Sequence, residues 1–382
     1  MFIEIKGAEF VNRGAELMLR AILQRLRPEF PGACFVLAPW LGRDNKKKRE
    51  ELGLYKKIWF PSKWGIQPGY LGNLVPEKLR RIRGFVVHNE ISVALDSSGF
   101  AYTDQMGEDK TLDMAKAAKR WGKLGTSVVL LPQAFGPFSS RKIRSAFRTI
   151  AENSEYIFPR DDVSYRYVTE LAGESPRIIQ VPDFTIGVRG VVPEIFPEGR
   201  VAIVPNRHMI GKTSREESSR YVPFLVSCIR TLVSAGEKPF FLIHEDKGDL
   251  EIAEKINAEF DPGLYIYQEE DPLRLKGTIG RCKGMIGSRF HGLVSALSQG
   301  IPAFAVGWSH KYEALYRDFN FREGMLSLDL EGRELEDRLK PLLDPCSGKE
   351  LSVRLESAKE ENMIKVEKMW ELVIGLIRSK TG

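Results

Sequence analysis

The sequence predicts an α/β protein made of two domains, each built on a parallel β-sheet. Three observations carry this. Short β-branched or aromatic runs alternate with longer helical patterns almost from end to end, and the alternation occurs twice. Between the two runs, the stretch 187–200 holds Gly187, Gly190, Pro193, Pro197 and Gly199, which leave little room for a regular element. Finally, the chain has 382 residues, and single cores stop growing at roughly 250–300.

The elements follow in order. In the first half strands are expected at 2–5, 34–37, 91–95, 127–131 and 156–158. Met18, Ala21, Ile22 and Leu26 recur at helical spacing and mark a helix at 15–26, and a second helix is expected at 112–124. In the second half strands are expected at 201–204, 240–243, 264–267, 284–286 and 303–306, with helices around 221–234, 250–260 and 293–298. Strand, helix and parallel strand in succession make two Rossmann-like domains, 1–190 and 198–346, with a central cleft between them. The tail 347–382 carries Met363, Val366, Trp370, Val373 and Leu376 in a helical pattern. Those side chains need a partner surface, so this C-terminal helix is expected to pack on the body, with a crossing back to the N-terminal domain as one way to cover them.

Composition narrows the class. With 43% hydrophobic and 28% charged residues the chain has an ordinary globular balance rather than a disordered excess of charge. The 57 basic residues are nearly matched by 51 acidic ones and are scattered, which suits anionic small substrates or a lipid surface and argues against nucleic acid. Cys34, Cys228, Cys282 and Cys346 form no CxxC pair and read as reduced thiols. Phe2-Ile3-Glu4-Ile5 alternates like a strand, with no charged and then apolar leader, and no run approaches the ~18 apolar residues of a membrane span. A cytoplasmic protein is expected. The basic runs 46–49 and 80–83 read either as solvated loops or as a peripheral contact with the inner face of an anionic membrane.

The strongest local signal lies at 284–307. A buried strand ends at Ile286, Gly287-Ser288 form a tight turn with Ser288 available as a cap, and a helix begins at Arg289 or Phe290. The positive end of such a helix, at the carboxyl edge of a sheet, is an anion site before any side chain is counted. Arg289 adds a planar donor fork suited to carboxylate or phosphate, unless it pairs with a structural acid. His291 adds a group that exchanges protons near neutral pH. Directly after the next strand, Trp308-Ser309-His310-Lys311-Tyr312-Glu313 offers His310 as a second proton carrier and Lys311 as a second cation, or simply a helix start capped by Ser309.

These residues resemble the C-terminal signature of polysaccharide pyruvyl transferases: Ser288-Arg-Phe-His-Gly, then Ala296-Leu-Ser-Gln-Gly-Ile-Pro, then Ser309-His-Lys-Tyr-Glu. Asn12-Arg-Gly-Ala-Glu-Leu, Leu131-Pro-Gln-Ala-Phe-Gly-Pro-Phe, Arg160-Asp-Asp-Val-Ser-Tyr and Pro182-Asp183 look like the same family. The resemblance implies a GT-B-like fold, phosphoenolpyruvate as donor, a sugar hydroxyl pair as acceptor, and a cyclic pyruvate ketal as product. It implies donor binding and catalysis at Arg289, Phe290 and His291, and a donor-binding arginine at Arg207 in Val204-Pro-Asn-Arg. Ser288 and Lys311 join the donor set, and His310 joins His291 as a catalytic candidate. No cofactor is expected beyond phosphoenolpyruvate as co-substrate.

The acceptor side departs more from the family. Members often have a glycine-rich turn where this chain has Asp96-Ser-Ser-Gly-Phe-Ala-Tyr-Thr-Asp. Asn12, Gly14, Glu16 and Asp96, with His208 and His244 at strand ends, are the acceptor-binding candidates, and Asn12 and Glu16 serve equally well as helix caps. Asp161 or Asp162 reads as an ordinary helix cap with Arg160 paired to it, and His88 as structural. Asp246 and Asp249 near His244 make no convincing ligand set, so no metal is expected. Two other classes remain open: a GT-B glycosyltransferase with a nucleotide-sugar donor, and a non-catalytic binder of acidic polymer.

Overall fold

The structure is a computed structural model that describes residues 1–38, 44–58, 75–245, 247–307 and 310–380. The chain divides into two compact units, Met1–Asp183 with Val366–Gly382, and Phe184–Lys365. The division falls ahead of the glycine- and proline-rich stretch rather than at 190–198. Packing explains the difference. Thr185 gives its carbonyl to the buried Lys276 ammonium at 2.7 Å, and Val191 N–H bonds to Leu273 O at 2.9 Å. At Gly190 a Cβ would lie 2.6 Å from the Gly277 nitrogen, so the backbone presses directly on the helix that holds Gly277.

Among the described residues the first unit holds strands β1 (Phe2–Lys6), β2 (Cys34–Leu37), β3 (Tyr55–Lys57), β4 (Phe85–Val86), β5 (Ile91–Asp96), β6 (Ser127–Gln133) and β7 (Tyr156–Pro159). Its helices are α1 (Arg13–Leu26), α2 (Lys46–Glu51), α3 (Glu77–Ile82), α4 (Glu108–Leu124), α5 (Arg141–Glu152) and α6 (Asp162–Ala172). All the strand pairs are parallel, in the order β4-β3-β2-β1-β5-β6-β7. The core on one side of this sheet gathers Trp121, Phe135, Phe147, Val128 and Leu130. Strands β3 and β4 escape a reading of apolar runs. The first is Tyr-Lys-Lys, and its Lys57 is buried by pairing with Glu4 of β1 and lying 5.1 Å from the Trp121 ring. Burial nonetheless pulls the Lys57 ammonium below its ordinary range, with Glu4 opposing.

The second unit holds, among the described residues, β8 (Val201–Val204), β9 (Phe240–Ile243), β10 (Ile266–Gln268), β11 (Gly284–Gly287) and β12 (Ala303–Ala305). Its helices are α7 (His208–Gly211), α8 (Arg215–Ser234), α9 (Lys247–Asn257), α10 (Pro272–Ile279), α11 (Phe290–Leu297), α12 (His310–Asp318), α13 (Gly332–Arg338) and α14 (Lys340–Leu343). This sheet is also parallel throughout, in the order β10-β9-β8-β11-β12. Helix α15 (Pro345–Ser379) gives its first part to the second unit, where Asn362 bonds Asp318 O at 2.6 Å. From Val366 on it belongs to the first unit. There Met369, Trp370, Val373 and Ile377 are buried, and Arg25 and Glu29 pair with Glu367 and Arg378 at 3.2 and 2.8 Å.

In both sheets the chain starts in the middle, winds outward one way, then returns to wind the other way. The order therefore reverses between β1 and β5 in the first unit and between β8 and β11 in the second. At such a switch point the loops after neighbouring strands diverge and leave a crevice at the carboxyl ends, where open α/β sheets bind ligands.

Candidate active site

The β8/β11 switch point is where the sequence signature falls. Leaving β8, the chain runs Pro205-Asn206-Arg207-His208, and leaving β11 it runs Ser288-Arg289-Phe290-His291. Gly287 permits the close approach, since a Cβ there would lie 2.7 Å from Val204 Cβ. A hydrogen bond spans the two loops: the buried Asn206 gives Nδ2–H to Ser288 O at 2.6 Å, and the same carbonyl accepts Tyr312 Oη–H at 2.9 Å. Asn206 also shapes its own loop, accepting His208 N–H on Oδ1 at 2.9 Å while its backbone N–H reaches Tyr221 Oη at 3.0 Å. Burial pushes the Tyr221 phenol well up, so it stays neutral in this role.

Helix α11 begins at Phe290, the later of the two starts its sequence allows. Its cap position is Arg289, in extended backbone, and no side chain caps it. Ser288 is therefore not the cap. It lies one residue too early, and its carbonyl is used to tie the loops. Arginine has no short acceptor to offer the first turn, and a good cap is worth about 1 kcal/mol. That stabilisation is absent here. Residues Phe290 and Gly292–Leu297 are buried, so the positive end of this largely buried helix meets the carboxyl edge of the sheet.

The Arg289 guanidinium is buried and held by two carboxylates. Asp249, in the first turn of α9, takes Nε at 2.8 Å and Nη2 at 2.5 Å, and Glu245, just after β9, pairs with Nη1. Asp249 Oδ1 also accepts the Arg207 backbone N–H at 3.0 Å. Of the two readings of Arg289, the structure places it with acids, and those acids sit at the same carboxyl edge. Arg207 itself is exposed and His208 half-buried. The Lys311 ammonium stands 5.3 Å from both the Phe290 and the Tyr312 ring centroids, a cation over aromatic faces. Phe290 also meets the His291 ring edge-on at 5.4 Å. His244 is buried against the start of α11, where a Cβ on Gly292 would lie 3.1 Å from its Cδ2. His244, assigned to the acceptor from sequence, thus sits with the donor candidates.

The fold brings Arg207, His208, His244, Ser288, Arg289, Phe290, His291 and Lys311 into one neighbourhood of the second unit. His310 opens α12 beside Lys311. Trp308, the proposed cap Ser309, and Asp246 lie outside the described residues. Sequence reading missed Asp249 as a partner of Arg289, and with it Glu245, Asn206, Tyr221 and Tyr312. The available signal for Asp249 was an acid in the first turn of a helix after a strand, which is ordinary helix chemistry. Among the described residues no group of three or more His, Cys, Asp or Glu side chains is arranged to hold a metal ion.

The remaining candidates occupy the β1/β5 switch point of the first unit. Asn12 caps α1 by accepting Ala15 N–H at 2.9 Å. Gly14 is buried in the first turn, and the fully buried Glu16 carboxylate pairs with Lys48 at 2.9 Å and Arg20 at 3.3 Å. Asp96 ends β5 in a separate network, accepting Tyr102 Oη–H at 2.6 Å and Ser98 N–H at 2.9 Å. Each of these polar groups already serves the fold. Arg160 pairs with Asp183 at 2.9 Å, and Asp161 caps α6 through Ser164 N–H. His88 contacts Arg120 at 3.0 Å, and burial, reinforced by Lys57 and Arg120, lowers its pKa to about 3.

A family profile described as polysaccharide pyruvyl transferase matches residues 12–310, from Asn12 to His310. The chain belongs to the polysaccharide pyruvyl transferase family. It is therefore a transferase, and the matched span takes in both loops of the β8/β11 switch point. Solved structures give the fold independently. A putative UDP-N-acetylglucosamine 2-epimerase from Listeria monocytogenes is similar with TM-score 0.59 and 10% identity, over 97% of this chain and 96% of that one. The UDP-GlcNAc 2-epimerase from Neisseria meningitidis, bound to UDP-GlcNAc, has TM-score 0.58 and 8% identity, over 99% and 100%. The S. aureus MnaA–UDP structure has TM-score 0.57 and 10% identity, over 94% and 90%. These likenesses establish the GT-B-like fold with two Rossmann-like domains. A search of curated proteins gives no match.

Proposed function

We propose that this pyruvyl transferase moves pyruvate from phosphoenolpyruvate to two hydroxyls of one sugar in a polysaccharide or its precursor, forming a cyclic ketal and releasing phosphate. The observation that carries this is the grouping at the β8/β11 switch point of Arg289, Arg207, Lys311 and the positive end of α11 with the titratable His291. The donor bears a carboxylate and a phosphate, so it needs at least two cationic contacts. In the reaction the donor's methylene carbon takes a proton and becomes the methyl group. One hydroxyl then bonds to the carbon bearing phosphate and loses its proton, the C–O bond to phosphate breaks, and the second hydroxyl closes the ring. One side chain must give and take protons in this cycle. His291 is assigned that role, with His310 or His208 as helper.

Replacing His291 by alanine is expected to lower phosphate release by roughly the 10²–10⁴-fold of a general acid/base. Turnover near that of the unaltered protein would remove His291 from the mechanism. Because similar folds hold UDP or UDP-GlcNAc, the acceptor panel should include nucleotide-linked sugars beside free and lipid-linked ones. A thermal shift given by a UDP-sugar but not by phosphoenolpyruvate would favour the glycosyltransferase reading instead.

The setting proposed for the reaction is the cytoplasm, with a peripheral contact at an anionic membrane. No helix of the described residues is long and apolar enough to cross a membrane. Of the two basic runs, Lys48, Arg49 and Arg80 turn inward to Glu16, Asp44 and Glu90. Outward on and beside α3 stand Lys78, Arg83 and Arg81, the last paired with Glu77, together with exposed Val75, Leu79 and Ile82, which is 73% exposed. Apolar side chains at helical spacing among cations suit an anionic lipid surface.

A further inference from the structure

We propose that Asp249 is a positioning residue of the donor site and that Glu245 occupies the place an anionic group of the donor takes. The inference rests on the phosphoenolpyruvate reading above. Asp249 has no exposed surface, and it reaches the site from a third element, α9, while touching both lips of the switch point. On the β11 side its two oxygens take Nε and Nη2 of Arg289 side-on, which fixes the guanidinium plane and turns the Nη1 end away from Asp249. On the β8 side Oδ1 takes the Arg207 N–H, which sets where that exposed arginine leaves the backbone. A single buried carboxylate thus aims both arginines.

The Nη1 end is the one Glu245 holds. Glu245 differs from Asp249 in exposure, with 10% of its side chain open against none. It lies in the loop two residues after β9, whereas Asp249 lies within a helix whose inner face is fixed by burial of Ile252, Ala253 and Ile256. Arginine flanked by one locked and one partly open carboxylate presents a binding edge that an incoming carboxylate or phosphate gains by exchange with the open one. Asp249 keeps the edge aimed during that exchange, and Glu245 competes for it. The two acids, alike in charge and both paired to Arg289, therefore act in opposite directions on donor affinity.

The test is the affinity for phosphoenolpyruvate, by isothermal titration, and the KM and kcat of phosphate release in full-length Asp249→Asn, Asp249→Glu and Glu245→Gln proteins. Asp249→Asn is expected to weaken the donor by about 10- to 100-fold, the range one charge-assisted hydrogen bond represents. That change should fall mainly on KM, and Asp249→Glu should recover part of it. Glu245→Gln is expected to tighten donor binding, an outcome that a merely structural role for the acids would not give. It also keeps the proposal testable if Asp249→Asn fails to fold. Donor affinity unchanged in Asp249→Asn, or weakened in Glu245→Gln, overturns the proposal while leaving the donor reading intact. An unaltered protein that binds no phosphoenolpyruvate overturns the donor reading itself, and this proposal with it.

Discussion

Replacing Arg289 by alanine would remove the guanidinium that pairs with both Asp249 and Glu245, and the structure sets the size of the effect. Asp249 is fully buried, and the Glu245 side chain keeps 10% of its surface open. Breaking a buried ion pair by deleting one partner costs about 3–5 kcal/mol, because the remaining charge is stranded away from water. For a unit of this size each kcal/mol moves a melting midpoint by about 2–4 °C, so Arg289→Ala should melt roughly 6–20 °C lower in the transition of the second unit. Differential scanning calorimetry reads this directly. Pairing the change with Asp249→Asn should return part of the loss, since the double variant no longer strands that carboxylate. A drop below about 2 °C, or effects of the two changes that simply add, would refute the description of Arg289 as the charge that holds this corner together. The same reasoning makes Arg289→Ala a poor probe of catalysis taken alone. Lost turnover in that variant would mix misfolding with lost donor contact, whereas Glu245→Gln leaves the arginine in place.

Two further outcomes follow from the first unit. His88 has an ordinary value of 6.5 that burial and the nearby Lys57 and Arg120 lower to about 3, so between those pH values the unfolded chain binds a proton that the folded chain refuses. Stability from this residue is whole above about 6.5 and is lost as pH falls. At pH 5 that is about 2 kcal/mol, and His88→Gln should flatten the pH dependence of the melting midpoint over pH 5–7 by that amount; an unchanged profile would contradict it. The outward face of α3 predicts that the full-length protein sediments with phosphatidylglycerol vesicles and not with phosphatidylcholine ones, and that Leu79→Ser with Ile82→Ser reduces it. Equal behaviour on both vesicle types would count against that surface.

How much of this was legible in the sequence depended on what each residue's neighbours are. Strands β8 and β9 and the helices around them follow from runs such as Val-Ala-Ile-Val, because a strand buried on both faces announces itself by composition alone. The start of α8 at Arg215 lay ahead of the expected helix because its first turn is polar and rests on the capping box of Ser214 and Glu217. Strand β3 stayed hidden because Lys57 is buried only by virtue of Glu4, fifty-three positions away in sequence. The site divides in the same way. Arg289 and His291 stood out through their helix start, whereas nothing in the sequence joins Asp249 to Arg289 until the fold brings β9 beside β8 and Asp249 to the loop after β11. Long-range pairing of charges leaves no periodicity to read.

The most direct measurement is to incubate the purified full-length protein with phosphoenolpyruvate and the acceptor panel, and to follow phosphate release and acceptor mass together. The account predicts that one sugar acceptor triggers phosphate release and gains a pyruvate ketal in equal amount, and that His291→Ala loses both. Phosphate release without a ketal on any acceptor, or a sugar transferred from a nucleotide-sugar donor instead, would contradict it.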